Sequence, residues 1–211
     1  TVLPITEADA PPPVGEYGTQ KDGIARLLAG ETASGGLVTT SLHPGHISGP
    51  GWAPIGPTGN LDPTVWSTLA AGEPLRVPGL GTETMHHVHA DDVAQAFELA
   101  IAHRDAAAGQ DFFVTAAEGL NVRGYAEIAA GWFGRSAQLE HVSWETFRAG
   151  LAPEHAEASW EHLSRSQIFS VDKARRLLGY EPRYSVADTV RESVRRLIAD
   201  GTVGVPRPMV A

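Results

Sequence analysis

The sequence predicts a protein of the α/β class. Short apolar, β-branched segments typical of strands alternate with segments of helical periodicity along its 211 residues. A chain of this length can bury a substantial core in one large domain or two small ones. No internal repeat or low-complexity tract interrupts the alternation.

Capping residues, prolines and glycines place the individual elements in order. The prolines at 11–13 predict an ordered loop at the start, and the two prolines beyond Gly201 predict a tail that frays. The first expected elements are a helix over 17–29, with Ile24, Leu27 and Leu28 on its apolar side and Gly30 ending it, a buried strand over 37–42 and a glycine- and proline-rich loop over 43–59. Three helices should follow, one begun by Asp62 and Pro63, one N-capped by the pair Asp91 and Asp92, and one capped by Asn121, with a strand over 111–115 before the third. The remaining expected elements are a strand over 139–142, short helices over 143–147 and 172–178, and a last helix begun by Ser185 and Asp188.

Composition limits the classes of partner and compartment. The formal net charge is −9 at pH 7 and no basic cluster stands out, which argues against nucleic acid or an anionic membrane as a partner. The chain has no cysteine, which suits a cytoplasmic location and excludes disulfides and thiolate metal sites. No apolar run approaches the ~18 residues that a spanning helix needs.

Tyr17 and Lys21 form the first candidate site. Residues four apart on a helix share a face, with β-carbons about 5–6 Å apart, so the phenol and the ammonium can meet. A nearby cation favours the phenolate and lowers the pKa of a tyrosine from its usual value of about 10 toward the range useful to a general acid/base. The same spacing also arises by chance in exposed helices, so the neighbouring motifs decide its meaning.

Five motifs in a fixed order give the chain a family resemblance. They are residues 3–7 (LPITE), 17–21 (YGTQK), 43–50 (HPGHISGP), 88–94 (VHADDVA) and 172–182 (DKARRLLGYEP). Together they resemble an extended short-chain dehydrogenase/reductase, and more narrowly the NAD-dependent epimerase/dehydratase family. The resemblance spans residues 3–198.

The resemblance implies roles for matching positions. Tyr17 would be the general acid/base during hydride transfer to or from the nicotinamide of NAD or NADP, and Lys21 would lower its pKa and bind the nicotinamide ribose. Pro44, Gly45, His46 and Ile47 would pass beside the nicotinamide, and His46 would also offer its side chain to the substrate. The implied fold is a partial Rossmann-like, doubly wound parallel sheet with a smaller α/β substrate-binding domain. A homodimer is common in the family.

One family motif has no counterpart in this chain. The Gly-x-x-Gly-x-x-Gly turn, whose backbone amides bind pyrophosphate at a helix N-terminus, does not occur. We therefore expect the chain to represent such a protein from its middle onward, with activity only when the N-terminal part is present. The expected division is a cofactor domain of residues 1–50 and 81–118, a substrate-binding domain of 51–80 and 119–200, and a tail of 201–211.

Three positions depart from the family pattern on the substrate side. His46 stands where many sugar-nucleotide enzymes have Asn, and Met85 stands where they have a phosphate-binding Arg. A methionine cannot replace the bidentate grip of guanidinium on phosphate. Trp52 lies in a segment where an arginine is common. The substrate-binding candidates are thus His46, Trp52 and Met85, and the expected substrate is a sugar or another small hydroxyl or carbonyl compound.

Two alternative functions remain open at this stage. His86, His87 and His89 with Asp91 and Asp92 could form a zinc or iron site in a metal-dependent hydrolase, because imidazoles and carboxylates are suitable ligands. No distant histidine or glutamate completes such a site by spacing, so no metal is assigned. The chain could also be a non-catalytic, Rossmann-like binding protein.

Overall fold

The computed structural model describes residues 3–13 and 15–210 as helices joined to short, mainly parallel strands. Ala211, the last residue of the predicted tail, and residues 1, 2 and 14 of the predicted cofactor domain lie outside the described residues. The helices are α1 (Gly15–Ala33), α2 (Thr64–Ala71), α3 (Ala90–Ala102), α4 (Arg104–Ala107), α5 (Val122–Gly131), α6 (Trp144–Ala149), α7 (Pro153–Leu163), α8 (Asp172–Leu178) and α9 (Val186–Ala199), with one 3-10 turn at Glu7–Asp9. The strands are β1 (Ser41–Pro44), β2 (His46–Ser48), β3 (Pro74–Pro78), β4 (Thr84–Met85), β5 (His87–His89), β6 (Asp111–Val114), β7 (Leu120–Asn121) and β8 (Gln138–Val142).

The strands associate in pairs, and the parallel pairs confirm the predicted α/β class. β1 pairs with β6, β2 with β5 and β3 with β8 in parallel, whereas β4 pairs with β7 antiparallel. Each parallel pair joins strands that are separated by helices along the chain, which is the connection that parallel strands require. Only Gly45 separates β1 from β2. At this residue the chain stops pairing with β6 and begins to pair with β5.

Two hydrophobic clusters form the described core. The larger one is built mainly from α2, α5 and α9, and its aromatic centre is Trp66, with Tyr125 and Trp132 at ring-centroid distances of 6.2 and 6.3 Å. The hydroxyl of Tyr125 donates to the carbonyl of Ile55 at 2.8 Å, which satisfies the polar tip of a fully buried ring. The smaller cluster packs α3 and α8 against β5 and β6. The predicted domain boundaries stay a prediction.

Local capping signals give several correct predictions. Asn121 accepts a hydrogen bond from the amide of Gly124 at the start of α5, and Ser185 accepts one from Asp188 at the start of α9. The carboxylate of Asp62 accepts the amide of Thr64 at 2.9 Å before α2. The side chains supply acceptors for amides that lack a partner inside the helix.

The first helix and the strand after it differ from the prediction. α1 continues through Gly30 and ends at Ala33, and none of its residues is buried, so Ile24 and Leu27 lie exposed rather than on a core face. The predicted strand over 37–42 begins only at Ser41, and Leu37 is 65% exposed. Among the described residues, the hydrogen bonds between β1 and β6 begin at Ser41, whose amide donates to the carbonyl of Gln110. The residues before Ser41 therefore lie outside the strand.

The start of α3 and the tail also correct the prediction. The side chain that caps α3 is the imidazole of His89, which accepts the amide of Asp91, while Asp92 bonds residues before α9 instead. The tail packs rather than frays over its described residues, because Val203 is buried and the amide of Val210 bonds the carbonyl of Trp132.

α7 and β3 are further elements that the sequence reasoning did not predict. No helix in the described part joins the length and the apolar character needed to cross a membrane.

Candidate active site

Tyr17 and Lys21 lie together near the start of α1. The ammonium nitrogen of Lys21 is 5.4 Å from the centre of the Tyr17 ring. This contact follows from the four-residue spacing on a helix, as predicted. The Tyr17 side chain is 74% exposed, so its hydroxyl is accessible to a molecule that approaches α1.

Lys21 also lines a cleft between α1 and the pair β1–β6. The cleft has a volume of about 410 Å³, and its walls include Gly18, His43 and Asp111, whereas Tyr17 is not among its lining residues. The carboxylate of Asp111 lies 3.0 Å from the ammonium of Lys173. A hydroxylated or anionic group in this cleft would find Lys21 as a hydrogen-bond donor at its α1 side.

The segment from Pro44 to Ile47 is tied tightly into the sheet. The amide of Gly45 donates to the carbonyl of Val114 at 3.0 Å, and the amide of His46 donates to the carbonyl of His86 at 2.9 Å. A β-carbon at Gly45 would overlap the carbonyl oxygen of His86, so only glycine fits this approach without displacement. Since the N–H groups of Gly45 and His46 are satisfied internally, a cofactor beside this segment would meet side chains rather than these amides.

His46 lies in a cluster of imidazoles. Its ring centroid is 5.2 Å from that of His87 and 4.7 Å from that of His162, both in edge-to-face geometry. Burial, followed by repulsion from His87, His162 and His86, lowers the pKa of His46 well below its ordinary value. Burial also lowers the pKa of His87 to about 4, so both rings are uncharged at neutral pH.

His162 is the member of this cluster that the sequence reasoning missed. It lies on α7, whose start carries Pro153 in the first turn. A first-turn proline followed by good helix formers is a recognisable start signal, so the helix itself could have been found. Its contact with His46 depends on tertiary packing and has no local signal.

The structure places the other two substrate-binding candidates differently. Trp52 is 52% exposed in the loop after β2, where its amide bonds the carbonyl of Gly49 at 3.1 Å. Met85 is 1% exposed and packs within the larger hydrophobic cluster. Trp52 is therefore open to a ligand, while Met85 is enclosed by protein; their substrate contacts stay predictions.

The histidine and aspartate residues proposed as metal ligands each have a separate partner. His86 contacts the carbonyl of Ala116, His87 that of Ile55, and His89 the carboxylate of Glu192, at 2.9, 3.0 and 2.9 Å. Asp92 accepts the backbone amides of residues 183 and 184. In the described part of the chain, no group of three or more such side chains has the arrangement of a metal site.

The parallel strand pairs, joined through helical connections, are those of a Rossmann-like α/β protein. The chain belongs to the NAD dependent epimerase/dehydratase family, whose model matches residues 2–115.

Individual proteins resemble this chain in sequence or in fold. The chain is 26% identical over 183 residues to a 3-beta-hydroxysteroid dehydrogenase of Mycolicibacterium neoaurum, with 79% of this chain and 48% of the relative covered. It superposes on a UDP-glucose 4-epimerase of Thermotoga maritima solved with UDP-glucose, with a TM-score of 0.70, 22% identity, and coverage of 95% of this chain and 59% of the other. A UDP-glucuronic acid 4-epimerase of Bacillus cereus, solved with UDP-glucuronic acid and NAD, gives a TM-score of 0.71 at 16% identity, with 94% and 57% covered. The chain thus spans about half the length of these proteins.

Proposed function

We propose that this chain carries the proton-transfer residues and the substrate-facing region of an NAD(P)-dependent enzyme of the oxidoreductase or epimerase type. The observation that carries the proposal is the contact between Lys21 and the exposed ring of Tyr17. Membership of the NAD dependent epimerase/dehydratase family supports it.

In this proposal, Tyr17 moves a proton at the substrate oxygen. For oxidation of an alcohol, the phenolate of Tyr17 accepts the hydroxyl proton, and the carbon–oxygen single bond becomes a carbonyl as the carbon loses hydride. For reduction, the phenol of Tyr17 returns the proton. Lys21 stabilises the phenolate through its positive charge.

The residues present fit the nicotinamide end of a dinucleotide. Lys21 lines an open cleft beside Tyr17, where its ammonium can donate to ribose hydroxyls. When bound, the nicotinamide of NAD or NADP supplies the hydride acceptor or donor. His46 would offer its side chain to the substrate, because its segment is the one that the family resemblance assigns beside the nicotinamide.

The proposed substrate is a secondary alcohol or the corresponding carbonyl compound, carried on a sugar or another small molecule. The relative named 3-beta-hydroxysteroid dehydrogenase supports an alcohol, and the epimerases solved with UDP-sugars support a sugar. A homodimer and a cytoplasmic location stay predictions.

Turnover with NAD or NADP tests the proposal. The full-length protein is assayed with a 3β-hydroxysteroid and with glucose, and the absorbance of reduced nicotinamide reports the reaction. We expect cofactor-dependent turnover that Tyr17→Phe abolishes. Saturable quenching of tryptophan fluorescence by NAD(P), without turnover by the unaltered protein, would favour the non-catalytic binding alternative.

A further inference from the structure

Three imidazoles from distant parts of the chain meet beside the Pro44 to Ile47 segment. His46 comes from β2, His87 from β5 and His162 from α7, with His46 in edge-to-face contact with both of the others. His87 is fully buried, whereas His46 and His162 retain partial exposure. His46 and His162 are thus the rings of this cluster that a ligand would meet first, and His87 lies deeper.

Backbone carbonyls fix the protons of two of these rings. The Nδ1 atom of His162 lies 2.8 Å from the carbonyl oxygen of Gly59, and Nε2 of His87 lies 3.0 Å from that of Ile55. A carbonyl oxygen only accepts, so each of these ring nitrogens carries the proton. In the uncharged ring, the opposite nitrogen is then a free acceptor: Nε2 of His162 and Nδ1 of His87.

The buried acceptor has no partner in the described part of the chain. Nδ1 of His87 is enclosed without a hydrogen bond, which is costly for a polar atom in the interior. No ion pair involving His46, His87 or His162 occurs among the described residues either. The cluster thus offers acceptors and little positive charge.

We propose that His162 and His46 together bind a hydroxyl group of the substrate, and that the substrate is a neutral hydroxylated compound and not a phosphorylated one. This inference rests on the proposed function, because it takes His46 as substrate-facing. Phosphate sites depend on Arg, Lys or free backbone amides, and the amides of Gly45 and His46 are already bonded. A hydroxyl group can donate a hydrogen bond to a free imidazole nitrogen. A phosphate anion has no proton to donate, so its oxygens would face the lone pair of that nitrogen.

Histidine NMR on the isotope-labelled protein tests the inference without turnover. Two matched probe pairs are titrated: a 3β-hydroxysteroid against its 3-sulfate, and glucose against glucose 6-phosphate. In at least one pair, the uncharged member should shift the Nε2 resonance of His162 and bind at least about tenfold more tightly than the anion, since an anion there lacks compensating charge. Tighter binding of an anion with that shift, or no shift of His162 with any probe, would overturn the proposal.

Variants on α7 separate a binding role from a structural one. His162→Leu should weaken binding of the uncharged probe by about threefold to tenfold, the value of one hydrogen bond, while His162→Gln keeps an acceptor and should restore most of it. His155→Leu, on the same helix, is the matched control and should leave binding unchanged. Equal affinity in His162→Leu and the unaltered protein contradicts the proposal.

A metal titration excludes the main competing use of the cluster. Zn²⁺ at equimolar concentration should leave the resonances of His46, His87 and His162 in place, and their joint displacement would overturn the proposal in favour of a metal site. Failure of the proposed function appears separately, as absence of cofactor-dependent turnover with probe binding at His162 intact.

Discussion

The carboxylate of Asp92 holds Arg183 by both backbone and side chain. Asp92 is fully buried and accepts the amide of Arg183 at 3.0 and 3.1 Å and its Nε at 3.2 Å. It also accepts the amide of Tyr184 at 3.2 Å. A residue near the start of α3 therefore anchors the segment that leads into α9.

We predict that Asp92→Ala lowers the free energy of unfolding by about 2 kcal/mol, because it leaves the part-buried amides of Arg183 and Tyr184 without an acceptor. Urea denaturation measures this loss. The matched control is Asp91→Ala, which removes an exposed carboxylate bonded to the hydroxyl of Tyr184. Its cost should stay below about 1 kcal/mol, as for exposed charges. Similar losses in the two variants would contradict the anchoring role of Asp92.

Gly45 should be intolerant of even a small side chain. Gly45→Ala places a β-carbon against the carbonyl oxygen of His86, which accepts the amide of His46. The strand crossing must then shift, at a cost of about 1–3 kcal/mol. Gly23→Ala, on the exposed surface of α1 with no atom within 4 Å of the new β-carbon, should instead stabilise by about 0.5–1 kcal/mol. Unchanged urea stability in Gly45→Ala would show that the crossing is not tightly packed.

Stability should fall as the pH drops below the ordinary pKa of histidine. Burial lowers the pKa of His86 and of His87 to about 4, so the unfolded chain binds more protons than the folded protein between about pH 6.5 and 4. The free energy of unfolding therefore decreases with falling pH in this window, by up to about 1.4 kcal/mol per pH unit for each linked group. Protonation of His86 would also break the hydrogen bond from the amide of Phe169 to its Nδ1.

The pH dependence can be assigned with two variants. Urea denaturation across the window should show a smaller slope in His87→Gln than in the unaltered protein. His103→Gln, at an exposed ring, should leave the slope unchanged. A pH-independent stability in the unaltered protein would mean that these imidazoles are not held uncharged by burial.

Local rules explain which parts of the fold and site could be read from the sequence. The caps at Asn121 and Ser185 and the meeting of Tyr17 with Lys21 involve residues three or four apart, so short-range geometry suffices. The apolar spacing of α1 correctly indicates a helix, yet periodicity does not show what covers a face, and Ile24 is half-exposed.

Long-range packing explains what the sequence could not show. The contact of His162 with His46 requires α7 to lie against β2, and no local pattern encodes that placement. The N-cap of α3 is a second example. Capping propensity favours an aspartate there, but the carboxylate of Asp92 accepts hydrogen bonds from Arg183, and the imidazole of His89 caps the helix instead. Tertiary partners here outweigh local preference.

The catalytic role of Tyr17 is tested most directly by measuring the turnover of Tyr17→Phe together with its affinity for NAD(P), each compared with the unaltered protein. The variant removes the hydroxyl and keeps the ring beside Lys21, so NAD(P) affinity, followed by tryptophan quenching, should change little. We expect turnover to fall by at least about 100-fold, as for loss of a general acid/base. Tyr184→Phe, which alters a hydroxyl bonded to Asp91, is the matched control and should retain turnover. Undiminished turnover in Tyr17→Phe would contradict the assignment of Tyr17 as the proton-transfer residue.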